Sequence, residues 1–179
     1  MIVLIFRIES YIRHMKHYIL AGLVLVFLLS ACGRKAEKAA EYNNTLILRQ
    51  MRVIEALDVM DSTLRDSTVS EERMDYAFAN LQARVKSAVM AVDSIGSFNQ
   101  DPSLQIAARE LFRSYEAMTD GDYARLVAIR KLPDSVITEA VVDTNNAIIA
   151  RIQDMSAKAQ QKFILAQDEF GKKYHLTFD

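Results

Sequence analysis

Met74, Phe78, Leu81, Val85, Ala88, Val92 and Ile95 recur at alternating spacings of four and three residues. Such spacing confines them to one stripe of an α-helix, whereas a strand would require alternation by two. Ser70 stands before this stripe as an N-cap candidate, and Glu71 and Glu72 fall where acids complement the positive end of the helix dipole. The same reading predicts a first helix over roughly residues 36–65, carrying Tyr42, Leu46, Val53, Leu57, Met60 and Leu64, before Asp66-Ser67-Thr68 turns the chain. Asn99-Gln100-Asp101-Pro102 reads as the next turn. Asp101 can cap there, and Pro102 suits the first helical position because its missing N–H is not needed.

A third segment uses Leu104, Ala108, Leu111, Tyr115 and Met118, and its stripe resumes out of phase at Tyr123, Leu126 and Val127. The phase change across Asp120-Gly121-Asp122 predicts a kink or short break. The fourth helix is expected to start near Pro133-Asp134-Ser135. Its apolar face is Ile137, Val141, Ile148, Ile152, Met155, Ala159, Phe163, Ala166 and Phe170, and Gly171-Lys172-Lys173 closes its last turn. Short turns between long helices force neighbours to run antiparallel. The expected fold is therefore all-α: an up-down four-helix bundle with a kinked or broken third helix, preceded by an N-terminal signal helix.

Composition sharpens the picture at the N-terminus. From Met15 the chain reads MKHYILAGLVLVFLLSAC, a short basic start before an apolar run from Ile19 to Leu29. That layout belongs to a secretory signal, and the run falls short of the roughly 20 residues needed to span a bilayer. Leu29-Ser30-Ala31-Cys32 resembles the lipobox of bacterial lipoproteins. The resemblance implies cleavage before Cys32 and acylation, palmitate among the chains, of its sulfur and its new amine. Several acyl chains at about 0.8 kcal/mol per buried CH₂ exceed the regime of reversible attachment. Gly33 follows, in place of the Asp that retains such proteins at the inner membrane in enteric-type sorting, which favours the outer membrane. Neither its periplasmic face nor the cell surface is singled out.

The expected organisation is thus a mis-annotated extension over residues 1–14, with translation starting at Met15, a signal peptide over 15–31, a tether over 32–40 and a helical domain over 41–179. Arg34, Lys35 and Lys38 of the tether either meet anionic headgroups or are simply solvated. Residues 1–31 hold three of the 22 basic and one of the 23 acidic residues, leaving a net charge of −3 with no basic stretch. No nucleic-acid partner is expected.

Candidate chemistry is sparse. His175 is the one histidine beyond the signal, too few for a histidine-rich metal site, and Cys32 is consumed by lipid. Asp58 with Asp61, and Asp120 with Asp122, are spaced for cation or acid–base work, but Asp61 also has Arg65 four residues on, the geometry of an ordinary surface pair. No nucleophile elbow, phosphate loop or zinc motif occurs. We therefore expect no enzyme activity, no catalytic residues, no cofactor and no metal. Asn145 is the one polar residue within a stripe. A buried amide demands partners, and Tyr42 and Asn43 near the start of the first helix are the candidates to form a polar cluster with it. Asn145 either fixes helix register or lines a ligand cavity.

Tyr42-Asn43-Asn44, Asp122-Tyr123 and the closing Gln167-Asp168-Glu169-Phe170-Gly171-Lys172-Lys173-Tyr174 resemble helical-bundle surface lipoproteins of Gram-negative bacteria, a family without an established activity. The resemblance implies a location and a shape and lends no catalytic residue. The expected role is a non-enzymatic, lipid-anchored envelope protein presenting helix faces to a protein partner. The alternative is a small-molecule or sensory module with a pocket between helices near Asn145 and the third-helix break.

Overall fold

The computed structural model describes residues 2–176, with side chains from Gly33 to Leu176. Leu29, Ser30, Ala31 and Cys32 of the lipobox, with the signal peptide and residues 1–14, lie outside the described side chains.

The chain forms α1 (Ile2–Arg65), α2 (Glu71–Ile95), α3 (Ser103–Ala117), a π-helical turn (Met118–Tyr123), α4 (Ala124–Arg130) and α5 (Glu139–Tyr174). α3, the π turn and α4 make one continuous rod, so four rods pack as an all-α bundle. α1 packs on α2, α2 on α3 and α3 on α5, while α1 and α5 share a smaller seam. The core follows the apolar stripes: Leu46, Val53 and Met60 from α1, Leu81, Val85 and Val92 from α2, Leu104, Leu111 and Phe112 from α3, and Ile148, Phe163 and Phe170 from α5 are all buried.

The helix ends obey local chemistry. Ser70 Oγ accepts the Arg73 N–H at 3.3 Å, which satisfies one of the orphan donors of α2. Asp101 Oδ1 accepts the Ser103 N–H at 3.1 Å and the Ser103 hydroxyl at 2.6 Å, although α3 begins at Ser103, so that Pro102, expected in the first helical position, is the residue before the helix and Asp101 lies one further out. Asn99 and Gln100 take the left-handed conformation, at φ 50° and 64°, in a tight turn closed by the Asp101 N–H on the Phe98 carbonyl at 2.9 Å.

Two helix starts shift and one expectation is refined. Residues 33–40, assigned to the tether with the first helix starting near residue 36, are helical throughout: Ala39 is fully buried and Lys35 Nζ stands 5.4 Å over the Tyr174 ring. The run Arg34-Lys35-Ala36-Glu37-Lys38-Ala39-Ala40-Glu41 consists of strong helix formers, and the end of α5 gives it something to pack on. The interruption expected in the third rod is a π turn that leaves the rod continuous: the Ala124 N–H reaches the Thr119 carbonyl five residues back, and the extra residue absorbs the phase change. The fourth helix begins at Glu139, not near Pro133. Pro133 is extended at φ −60°, ψ 144°, and only a 3₁₀ turn, Asp134–Val136, precedes Thr138. Ile137, expected on the buried face, is consequently exposed.

Candidate functional site

Pro133 ends the third rod and sends residues 131–138 across the end of the bundle without a regular helix, so α5 starts displaced from its neighbours. The displacement leaves apolar residues uncovered. Leu132, Val136, Ile137, Val142 and Ile149 are between 39% and 47% exposed, all of them near this crossing. Between the last turns of α1, α4 and the first turns of α5 lies an open cleft of about 420 Å³. Leu64, Leu126, Ile129, Val141 and Ile152 supply apolar walls, and Asp61, Arg65, Arg130, Asp134, Asn145 and Gln153 supply the polar groups. Its size falls within the roughly 300–1,000 Å³ of small-molecule sites.

The π turn sits behind this cleft and places two of its partners. The Tyr123 hydroxyl donates to Asp61 Oδ1 at 2.9 Å, linking the third rod to α1. Burial pushes the Asp61 carboxyl above its ordinary range, against the opposing effects of that hydrogen bond and of Arg65. Burial, with the nearby Asp61 charge, likewise holds the Tyr123 phenol well above its ordinary value, so it stays a donor. One residue earlier, Asp122 is gripped by Arg151 of α5: Nε donates to Oδ2 at 3.0 Å and Nη2 to Oδ1. Thr119 Oγ1, in the same turn, is buried without a hydrogen-bond partner among the described residues. Arg130 Nη2 donates to the Asp66 carbonyl at 3.3 Å. The side chains of Arg65, Asn145 and Gln153 line the cleft and hydrogen-bond to none of the described residues.

The three residues expected to form one polar cluster do not meet. Asn145 is half-buried and lines the cleft, whereas Tyr42 and Asn43 lie at the opposite end of the bundle. Because α1 and α5 are antiparallel, the start of α1 meets the end of α5: Gln167 Nε2 donates to Asn43 Oδ1 at 3.0 Å, and Asn43 is 1% exposed. The Tyr42 hydroxyl donates instead to the Gly96 carbonyl at 2.7 Å, with its ring against Phe98 and Phe170 at centroid distances of 5.5 and 5.9 Å. Of the aspartates read as possible cation ligands, Asp122 is committed to Arg151 and Asp61 to Tyr123, so neither pair converges on an ion. Among the described residues no cluster of three His, Cys, Asp or Glu side chains is placed to hold a metal.

Gln167, Arg151 and Gln105, whose Nε2 donates to the Val92 carbonyl at 3.0 Å, are the structural polar residues that periodicity missed. The antiparallel register could have found Gln167, since it pairs the early positions of α1 with the late ones of α5. Nothing local marks Arg151 as the partner of Asp122. Chemically, the cleft brings together apolar walls, two guanidinium groups and two free carboxamides. Those are the elements of a binding site, and no nucleophile stands beside a base within it. No family model, curated protein or solved structure matches the chain. Among the described residues no helix is long and apolar enough to cross a membrane.

Proposed function

We propose that the chain is a lipid-anchored, non-enzymatic protein of the outer membrane of a Gram-negative envelope, and that it works by binding an apolar ligand in the cleft beside Asn145. The cleft is the observation that supports the binding role. The lipobox Leu29-Ser30-Ala31-Cys32 supports the anchor. α1 continues as a helix from Gly33 to Arg65, and at 1.5 Å per residue this rod separates Cys32 from the cleft by about 50 Å. Acyl chains on Cys32 cannot reach the cleft across that length, which leaves it free for a ligand from elsewhere.

Binding of Nile red by the full-length lipoprotein held in amphipol tests the role. Wild-type protein is expected to enhance the dye's fluorescence above that of an Ile149→Trp variant, in which the indole fills the cleft from a half-exposed position. Equal signals from the two proteins overturn the binding role. Metabolic labelling with palmitate, lost on Cys32→Ser, tests the anchor separately.

A second reading, in which exposed helix faces meet a protein partner, draws on Leu48, Met51 and Val59, each at least half exposed along one side of α1. Crosslinking from Leu48→Cys in intact cells, with a discrete adduct expected, distinguishes it from the cleft.

A further inference from the structure

We infer that the ligand of this cleft is a free long-chain carboxylate, its alkyl chain on the apolar walls and its headgroup on Arg65 and Arg130. The inference rests on the binding role proposed above and names the chemical class that the role requires.

The polar groups of the cleft are unequal in what they offer. Arg65 and Arg130 carry fixed positive charge and form no direct ion pair among the described residues, although Arg65 lies near enough to Asp61, and Arg130 to Asp66, to lower those carboxyls, and Arg130 spends one of its five N–H groups on the Asp66 carbonyl. Asn145 adds a carboxamide that makes no hydrogen bond to the described residues. On the acceptor side, Asp61 already takes the Tyr123 hydroxyl, and Asp134 stands exposed at the lip. Both guanidiniums keep unused N–H donors, and a ligand with charged acceptors can pair with them against the opposing charges of Asp61 and Asp134. Guanidinium groups match a carboxylate through paired, charge-assisted N–H···O bonds, which an ammonium or an ester headgroup cannot supply.

The walls determine the remainder of the ligand. A cleft of about 420 Å³ open on one side accepts a single flexible chain more readily than a two-chain bilayer lipid. The 50 Å or so of α1 between cleft and Cys32 also puts the site at the end of the rod away from the anchor. A monomeric amphiphile that diffuses through the aqueous space meets both conditions.

Displacement of Nile red from the amphipol-held full-length protein tests the inference, using dodecanoate, dodecylammonium and methyl dodecanoate as competitors with one common chain. Dodecanoate is expected to displace the dye at the lowest concentration. Combined Arg65→Gln and Arg130→Gln is expected to weaken dodecanoate about 10–100-fold, the scale of lost hydrogen bonds to a charged group, and to weaken methyl dodecanoate far less. If dodecylammonium or the ester competes as well as dodecanoate, or the double variant binds dodecanoate unchanged, the carboxylate class is wrong and the cleft still binds. If Ile149→Trp and a second filling variant, Val142→Trp, both keep their native melting curves and bind dye like the wild type, the cleft itself is not the site.

Discussion

Gln167 donates its carboxamide N–H to Asn43 Oδ1 at 3.0 Å across the small seam between α1 and α5. The bond joins the first rod to the last and fixes their antiparallel register with a buried polar pair. Replacing Gln167 with Ala leaves the buried Asn43 amide unpaired and is expected to lower stability by about 1–3 kcal/mol in urea denaturation. Asn43→Leu combined with Gln167→Leu removes both polar groups and should recover most of that loss. If the double variant is less stable than Gln167→Ala, the amide pair contributes more than mutual satisfaction.

The Asp122–Arg151 pair is the second polar tie. The aspartate side chain is 8% exposed and the arginine 49%, so the pair is half in solvent and its removal should cost less than that of a fully buried one. Arg151→Met is expected to lower the melting temperature of the bundle, because the Asp122 carboxylate stays buried without its partner. Asp122→Asn in the same background should restore part of the loss, measured by thermal melting.

Asp101 gives the fold an acid limit. Hydrogen bonds from Lys173 and from Ser103 hold its carboxyl at about 2, below the ordinary value of 3.8. A carboxyl depressed by folding contributes stability above its unfolded pKa, and the contribution is lost as pH falls through the folded one. Wild-type stability should therefore drop between about pH 4 and pH 2. Asp101→Asn, which keeps an oxygen for Ser103, should flatten that drop, as followed by circular dichroism across an acid series.

Asp61 has the opposite sign. Burial raises its carboxyl, so folding favours the protonated form and stability declines as pH rises through the folded value. Asp61→Asn retains an acceptor for Tyr123 and is expected to melt higher than wild type at pH 7, with the difference shrinking in acid. Equal melting temperatures at both pH values would contradict the assigned cause.

Gln100 occupies the left-handed region at φ 64° without being glycine. Gln100→Gly relieves that strain beside Asn99 in the turn and is expected to raise stability by about 0.5–1 kcal/mol, the greater chain entropy of glycine offsetting part of the gain.

The helices were legible because each one writes its own period. Ser70 and Asp101 marked where α2 and α3 begin, and the stripe that slipped between Met118 and Tyr123 marked the π turn. Interactions between helices were less so. Asn145 was visible as a polar break in an apolar face, but pairing it with Tyr42 and Asn43 ignored that antiparallel rods bring the start of one to the end of the other. The start of α1 ahead of residue 36 was less legible, because the Ala-, Glu- and Lys-rich composition of 33–40 suits a solvated linker as well as a helix, and the contact of Lys35 with Tyr174 favours the helix. The cleft arises from the irregular crossing after Pro133, a tertiary displacement that periodicity does not encode.

Packing in chain order also shapes how the molecule comes together. α1 packs on α2 and α2 on α3, each the next rod in the sequence, so hairpins can assemble as the polypeptide lengthens, a low-contact-order route that favours rapid folding. The α1–α5 seam instead joins the first rod to the last, and its Asn43–Gln167 bond closes the longest loop of the bundle.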